Sequence, residues 1–147
     1  MIITEKIDGT NASIYISDDG QEIQAASRTR WIYPGKEDNA GFAGWVAAHK
    51  DELLTLGPGH HFGEWWGKGI QRHYSLIDKR FSVFKSDQEV PSCCGYVPVL
   101  YNGIWSMNAV DDALDELRNY GSRAAPGFLN PEGIVVFHTA SSTMHKV

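Results

Sequence analysis

The sequence of 147 residues has no long apolar run and no strongly basic composition, and its cysteines are not dispersed. Its apolar runs are a few residues long, as at 134–137, whereas a helix that crosses a bilayer needs about 20. The first nine residues include Glu5 and Lys6 and lack the apolar stretch of a signal peptide. We therefore expect a protein with no membrane partner.

The cysteine content and the net charge argue against two further classes of protein, disulfide-rich domains and proteins that bind nucleic acid by bulk charge. The two cysteines, Cys93 and Cys94, are adjacent. Because neighbouring thiols are poorly placed to link distant segments, a disulfide framework is excluded, and a reducing compartment such as the cytoplasm is favoured. The 13 basic residues stand against 18 acidic ones, which gives a formal net charge of -5. That balance argues against binding nucleic acid by bulk charge alone, but it does not exclude a local basic groove.

What the sequence does contain is typical of one folded domain. Hydrophobic residues make up 42% of the chain and aromatic residues 12%, which argues against disorder. The length suits a single domain over residues 1–147. No internal repeat and no evident linker divides it.

Two kinds of hydrophobic period alternate irregularly along the chain. Short runs rich in β-formers predict strands at 2–7, 12–16, 22–27, 61–66, 80–84, 96–101, 132–138 and 144–147. Apolar residues at spacings of three and four predict helices over 41–56 and 110–120, the second with Asn108 as its cap. Because strands and helices do not alternate regularly, we predict an α+β fold of antiparallel sheets with flanking helices.

The first strand carries the first unusual residue, Lys6, which is followed at once by a Gly-containing turn at 8–11. If Ile3 and Ile7 face the core, the period of two places Lys6 on the opposite face together with Asp8. Its amine would then stand at the mouth of whatever the turn borders. Taken alone, this pattern also fits the solvated face of an edge strand, where lysine is common.

Two later segments combine carboxylates with glycine at predicted strand ends. Glu64 lies between glycines in 61–71, a stretch with two tryptophans, which suits backbone that approaches a ligand closely. An aromatic core strand with a glycine bulge explains the same residues, and we expect Trp65 and Trp66 to pack in the core. Glu132 stands at the entrance of an apolar strand, where a partner cation would stabilise it.

Taken in order, these segments resemble the motifs of the covalent nucleotidyltransferases, the superfamily of ATP-dependent DNA and RNA ligases and mRNA capping enzymes. The resembling segments are Lys6-Ile7-Asp8-Gly9 (motif I), Phe62-Gly63-Glu64 (III), 81–85 (IIIa), Glu132-Gly133-Ile134-Val135 (IV) and Lys146 (V). The wider strings 4–11 and 67–71 are similar to those of RNA ligases of the bacteriophage type. The resemblance implies an ATP-grasp-like nucleotidyltransferase core, the adenylation domain of a ligase.

The resemblance implies that Lys6 is the catalytic nucleophile, which takes AMP from ATP as lysyl-AMP and releases pyrophosphate. The AMP passes to an RNA 5′-phosphate, and a 3′-hydroxyl then displaces it. A lysine has a reference pKa of about 10.4, so such a site must favour the uncharged amine. Glu132 would hold Mg²⁺ or Mn²⁺, and Lys146 would contact the α-phosphate as a second catalytic residue. Asp8 and Asn11 would orient the lysine and the leaving pyrophosphate.

The remaining implied residues surround the nucleotide. Phe84 is expected to stack on adenine, with Glu5 beside the adenine edge. Glu64 would accept a hydrogen bond from a ribose hydroxyl, and Arg28 would contact the nucleotide or the RNA phosphate. The full nucleotide-binding set implied by the resemblance is Glu5, Asp8, Gly9, Asn11, Arg28, Glu64, Phe84 and Lys146. Six further basic residues fit either an RNA groove or a solvated surface: Arg30, Lys68, Arg72, Lys79, Arg80 and Lys85.

The chain departs from the family pattern at its ends. Five residues precede Lys6, and the position two residues after Lys146, where the family has a second lysine, does not exist. We therefore expect a minimal or truncated core without an accessory C-terminal domain, monomeric, and located in the host cytoplasm if it is encoded by a phage. A DNA ligase, a capping-type guanylyltransferase, and a truncated domain that binds nucleotide or RNA without turnover stay open as alternatives.

Overall fold

The computed structural model describes residues 1–35, 38–84, 89–138 and 143–147, so Lys85 of the sequence predictions lies outside it. The strands in these residues are β1 (Ile2–Lys6), β2 (Thr10–Ile16), β3 (Ile23–Ser27), β4 (Trp31–Ile32), β5 (Gly59–Gly67), β6 (Lys79–Val83), β7 (Cys94–Tyr96), β8 (Val99–Asn102), β9 (Gly133–His138) and β10 (Thr143–Lys146). The helices are α1 (Phe42–Ala48), α2 (Lys50–Leu53) and α3 (Met107–Tyr120), and a 3₁₀ turn covers Leu54–Leu56.

One sheet has four strands in the order β10-β9-β1-β8, and each neighbouring pair is antiparallel. Its core side includes Ile3, Ile134 and Val136, which pack against α3 in one buried cluster. Helix α3 begins one turn earlier than the sequence predicts. Its cap is therefore Ser106, and the predicted cap Asn108 lies inside the helix.

The other sheet has six strands in the order β4-β3-β2-β5-β6-β7. Its pairs are antiparallel except β6 with β7, which run parallel. One face is covered by α1, where Phe42 packs among Ile14, Trp65 and Phe81, all almost completely buried. The opposite face carries no helix in the described part of the chain and forms an open groove.

The two sheets join where β1 passes into β2. Gly9 lies in this connection, and a Cβ atom at that position would come within 2.5 Å of the Trp65 carbonyl oxygen. Only glycine allows the connection to lie this close to β5. The end of β1 therefore meets the middle of the six-stranded sheet.

The predicted α+β fold with antiparallel sheets is confirmed, and the differences are local. The helix predicted over 41–56 is interrupted at His49, and the strand predicted at 96–101 is two strands, β7 and β8. Both tryptophans of β5 are buried, as expected. Among the described residues, no helix has the length and apolar character that a membrane span requires.

Candidate active site

The amine of Lys6 is hydrogen-bonded to the carboxylate of Glu132. The pair forms because β1 and β9 are antiparallel with Lys6 opposite Gly133, so the residue before β9 lies beside the end of β1. Both side chains remain partly open to solvent, at 30% and 24% exposure. The alternation expected in β1 is confirmed: Ile3 and Ile7 are buried, and Lys6 lies on the other face.

The last strand brings Lys146 to the same face as Lys6. Lys146 pairs with Val135 in the ladder between β9 and β10, and Val135 pairs with Thr4 in the ladder between β9 and β1. Because side chains two residues apart on a strand share a face, Thr4, Lys6 and Lys146 face the same side of the sheet. The chain end is fixed by two backbone hydrogen bonds between Ile134 and Val147, of 2.8 and 3.0 Å.

The six-stranded sheet contributes Glu64, which is 9% exposed. Burial raises the pKa of its carboxyl to about 7, a hydrogen bond from the Gly9 amide opposes the shift, and the negative charges of Glu132 and Asp8 add to it. The positive charge of Lys146 lowers the pKa. These electrostatic interactions show that groups of both sheets converge at the junction.

Asn11 lies opposite Glu64 in the ladder between β2 and β5 and links it to Arg28. With its nitrogen toward Glu64, the Asn11 amide donates to Oε2 at 3.1 Å. Its oxygen then accepts from Nε and Nη2 of Arg28 at 3.0 and 2.6 Å. Glu64, Asn11 and Arg28 thus form one polar chain from β5 across β2 to the residue that follows β3.

Asp8 is held by two residues of the turn between β5 and β6. The hydroxyl of Tyr74 accepts a hydrogen bond of 2.7 Å from the Asp8 amide, and Arg72 forms an ion pair of 3.3 Å with its carboxylate. Burial raises the pKa of Tyr74, so the hydroxyl stays protonated. No local pattern in the sequence indicates Tyr74, because this contact joins residues 66 positions apart.

Glu5 lies on the core side of β1, 1% exposed, and does not face the amine of Lys6. Its carboxylate accepts three hydrogen bonds, from Ser122 Oγ at 2.7 Å and from the amides of Arg123 and Ala124 at 2.8 and 3.0 Å. In this structure, therefore, Glu5 fastens residues 122–124 to β1.

Phe84 follows β6 and is 46% exposed. It lines an open groove of about 440 Å³ on the uncovered face of the six-stranded sheet, together with Asn11 and Arg28. Lys6 does not line this groove. Apart from Glu5, the predicted site residues thus fall into two adjoining places, the junction of the sheets and the near end of the groove.

Glu132 is the candidate metal ligand. Among the residues that the structure describes, no group of three or more His, Cys, Asp or Glu side chains could hold a metal ion. A single partly exposed carboxylate nevertheless fits Mg²⁺, which commonly uses one or two carboxylates together with phosphate oxygens of a substrate.

The two largely antiparallel sheets, with Lys6 and Glu132 paired at their junction, fit the class of covalent nucleotidyltransferases that the motifs indicate. The sequence model described as RNA ligase matches residues 1–147, and the chain belongs to the RNA ligase family. This membership favours RNA ligase over DNA ligase and capping enzyme. No curated protein sequence matches the chain.

Solved structures of an RNA ligase from Naegleria gruberi have a similar fold. The variant with AMP and manganese matches with a TM-score of 0.67 at 16% identity, and a variant with ATP and manganese with a TM-score of 0.66 at 16% identity. The same ligase with pyrophosphate matches with a TM-score of 0.63 at 17% identity. Each match covers 99% of this chain and 48% of the other, so this chain spans about half the length of that ligase.

Proposed function

We propose that this chain is the adenylation domain of an ATP-dependent RNA ligase and that Lys6 accepts AMP from ATP. The observation that carries the proposal is the Lys6–Glu132 pair, formed by motifs I and IV at the junction where Glu64 and Lys146 also converge. Membership of the RNA ligase family over residues 1–147 supports it.

In the proposed first step, the amine of Lys6 attacks the α-phosphorus of ATP. A P–N bond forms, the bond between the α-phosphorus and the bridging oxygen breaks, and pyrophosphate leaves. The amine must first lose its proton to solvent, and the positive charges of Lys146 and of a bound metal would favour that loss. In the following steps, an oxygen of an RNA 5′-phosphate displaces the lysine, and an RNA 3′-hydroxyl then displaces AMP.

Charge neutralisation comes from Lys146 and from a metal held at Glu132. Lys146 shares the face of Lys6 and would contact the α-phosphate as it gains charge. Mg²⁺ or Mn²⁺ at Glu132, bound also by phosphate oxygens, would neutralise phosphate charge.

The nucleotide is proposed to extend from the junction into the near end of the groove. Glu64 would accept a hydrogen bond from a ribose hydroxyl, and Phe84 would stack on adenine. Asp8 and Asn11 would orient Lys6 and the leaving pyrophosphate. Arg28, held in place by the amide of Asn11, would bind a phosphate of the nucleotide or of the RNA, for which its planar guanidinium is well suited.

The test is transfer of label from ATP to protein in the presence of Mg²⁺. We expect ATP labelled at the α-phosphate to label the wild type, and ATP labelled at the γ-phosphate not to label it. Lys6→Ala should abolish the label, whereas Lys50→Ala, which changes an exposed lysine of α2, should leave it unchanged. Absence of label on folded wild type would instead support a domain that binds nucleotide without turnover.

A further inference from the structure

The groove extends beyond the residues assigned to ATP. It begins at Asn11 and Arg28 and continues over the uncovered face of the six-stranded sheet. Trp31, His60 and Phe62 line this outer part. Trp31 is 48% exposed and Phe62 is 60% exposed, although such rings normally bury most of their area.

The exposed rings of Trp31, His60 and Phe62 and the half-buried ring of Tyr15 form a continuous row across neighbouring strands. Tyr15 meets the ring of Trp31 edge-on at 5.8 Å between centroids. Trp31 and His60 are stacked at 6.1 Å with an interplanar angle of 19°, and His60 and Phe62 are stacked at 5.7 Å with an angle of 26°. Stacking covers the faces that these rings turn to one another, and the exposed area of Trp31 and Phe62 is what remains open to a ligand.

Two arginines lie beside the row. Arg28 and Arg30 line the groove, and none of the described residues that line it is acidic, although the whole chain has a formal net charge of -5. Arg28 is also the residue where the groove meets the polar chain to Glu64. The row is therefore continuous with the candidate active site and complementary in charge to a phosphate backbone.

We propose that the aromatic row of Tyr15, Trp31, His60 and Phe62 binds the bases of a single-stranded RNA segment whose 5′-phosphate lies toward Arg28. The inference rests on the proposed function and specifies its substrate. His60 and Glu64 are four residue steps apart on β5, a rise of about 13 Å, so the row lies within reach of the candidate active site.

Single-stranded RNA fits this row better than a duplex does. Proteins bind single strands by stacking successive bases on aromatic rings beside positive charge, largely without reading the sequence. In an A-form duplex the bases are stacked and paired within the helix, so their faces are not available to the rings. The row therefore predicts a preference for an unpaired 5′ end.

The test compares two tryptophans that are about equally exposed, one in the groove and one outside it. Trp31 is 48% exposed in the groove, and Trp105 is 47% exposed beside His138 near the four-stranded sheet. The probe is a short 5′-phosphorylated oligouridine with a 3′ fluorophore, titrated at constant salt by fluorescence anisotropy. We expect Trp31→Ala to weaken binding about 5- to 150-fold, the range that loss of one stacked base gives.

Three further measurements complete the test. Trp31→Phe should retain most of the affinity because it keeps an aromatic ring, and Trp105→Ala should bind as the wild type does. The same oligouridine annealed to its complement should compete poorly. Equal competition by the duplex would overturn the single-strand preference, and unchanged affinity in Trp31→Ala would overturn the proposal and leave the groove to a protein partner.

Labelling by ATP on the same variants separates this inference from the proposed function. Trp31→Ala should label with AMP as fast as the wild type, since Trp31 has no part in the lysine chemistry. Normal labelling with unchanged oligouridine affinity would reject the aromatic row and keep the ligase proposal. Loss of oligouridine affinity in Trp31→Ala, with no label even on the wild type, would support the row and reject the ligase proposal.

Discussion

The two sheets differ in the kind of side chain that they bring to their common junction. The four-stranded sheet presents ionic groups, with Lys6 paired to Glu132 and Lys146 on the same face. The six-stranded sheet presents the polar chain from Glu64 to Arg28 and, beyond it, exposed aromatic rings. Under the proposed function, one sheet would carry the charges for phosphoryl transfer and the other would bind ribose, base and RNA.

Two features of the junction hold the ionic groups of one sheet close to the polar groups of the other. On one side Glu5 binds residues 122–124 next to Lys6, the proposed nucleophile, and on the other Gly9 lets the connection lie against β5. Phosphoryl transfer depends on the positions of the reacting groups. A small displacement at Glu5 or at Gly9 would therefore separate the charged side chains of one sheet from the polar side chains of the other.

The largest expected effect is on the four-stranded side, from Glu5→Ala. The substitution leaves three donors in a buried site without their acceptor, and each such loss costs about 1–3 kcal/mol. We expect the free energy of unfolding to fall by about 3 kcal/mol or more, measured by urea denaturation. Glu5→Gln, which keeps one acceptor oxygen, should lose less. A loss in Glu5→Ala below about 1 kcal/mol would contradict the fastening role.

The next effect concerns Glu64 and the pH dependence of stability. Its pKa is raised from 4.5 in the unfolded chain to about 7 in the fold, chiefly by burial. The folded state therefore binds more protons than the unfolded state between these values, and stability falls as pH rises through this window. Relative to Glu64→Gln, the free energy of unfolding of the wild type should fall by on the order of 3 kcal/mol between pH 4.5 and 7.

The measurement for Glu64 is urea denaturation of both proteins at several pH values. The difference in the free energy of unfolding between wild type and Glu64→Gln should grow as pH rises to 7 and stay constant above it. If the free energies of unfolding of the two proteins depended on pH in the same way over the whole pH range, the raised pKa of Glu64 would be contradicted.

Gly9→Ala should displace the connection between the sheets and destabilise the fold. The added Cβ would lie 2.5 Å from the Trp65 carbonyl oxygen and 2.8 Å from the Trp66 Cβ, so the backbone must shift. Overpacking of this kind costs about 1–3 kcal/mol, and labelling by ATP should slow as well. The matched control is Gly95→Ala, where the added Cβ would meet only Ser82 Oγ at 3.5 Å. Equal stability of the two variants in urea would contradict the tight approach.

The smallest expected effect is on the six-stranded side, from Arg28→Lys. Lysine keeps the charge but cannot donate two hydrogen bonds to the Asn11 oxygen in fixed geometry. We expect the ATP concentration for half-maximal labelling to rise about fivefold, equivalent to about 1 kcal/mol. Arg118→Lys on the exposed face of α3 is the control. An unchanged concentration in Arg28→Lys would remove Arg28 from the nucleotide site.

The sequence predicted what short-range period and motif order can reveal. The alternation of Ile3, Lys6 and Ile7 follows from the period of a strand, and the ordered motifs indicated the family and the α+β fold. Helix α3 was predicted because its apolar stripe repeats within the helix itself, although the cap was misplaced by two residues.

What the sequence could not reveal depends on strand register and long-range contacts. The three donors to Glu5 lie 117 to 119 positions away, and no local pattern indicates them. The aromatic row requires the register that sets Tyr15 opposite His60, and it also requires the two-residue strand β4, which is too short to predict. Roles proposed for Phe84 and Lys146 still rest on resemblance and on placement.

The most direct test of the central claim is to locate AMP on the protein. After incubation with ATP and Mg²⁺, mass spectrometry of proteolytic peptides should find an AMP adduct on Lys6. Lys6→Arg, which keeps the positive charge beside Glu132, should carry no adduct, because the guanidinium is always protonated. An adduct on another lysine, or none on folded wild type, would contradict the assignment of Lys6 as the nucleophile.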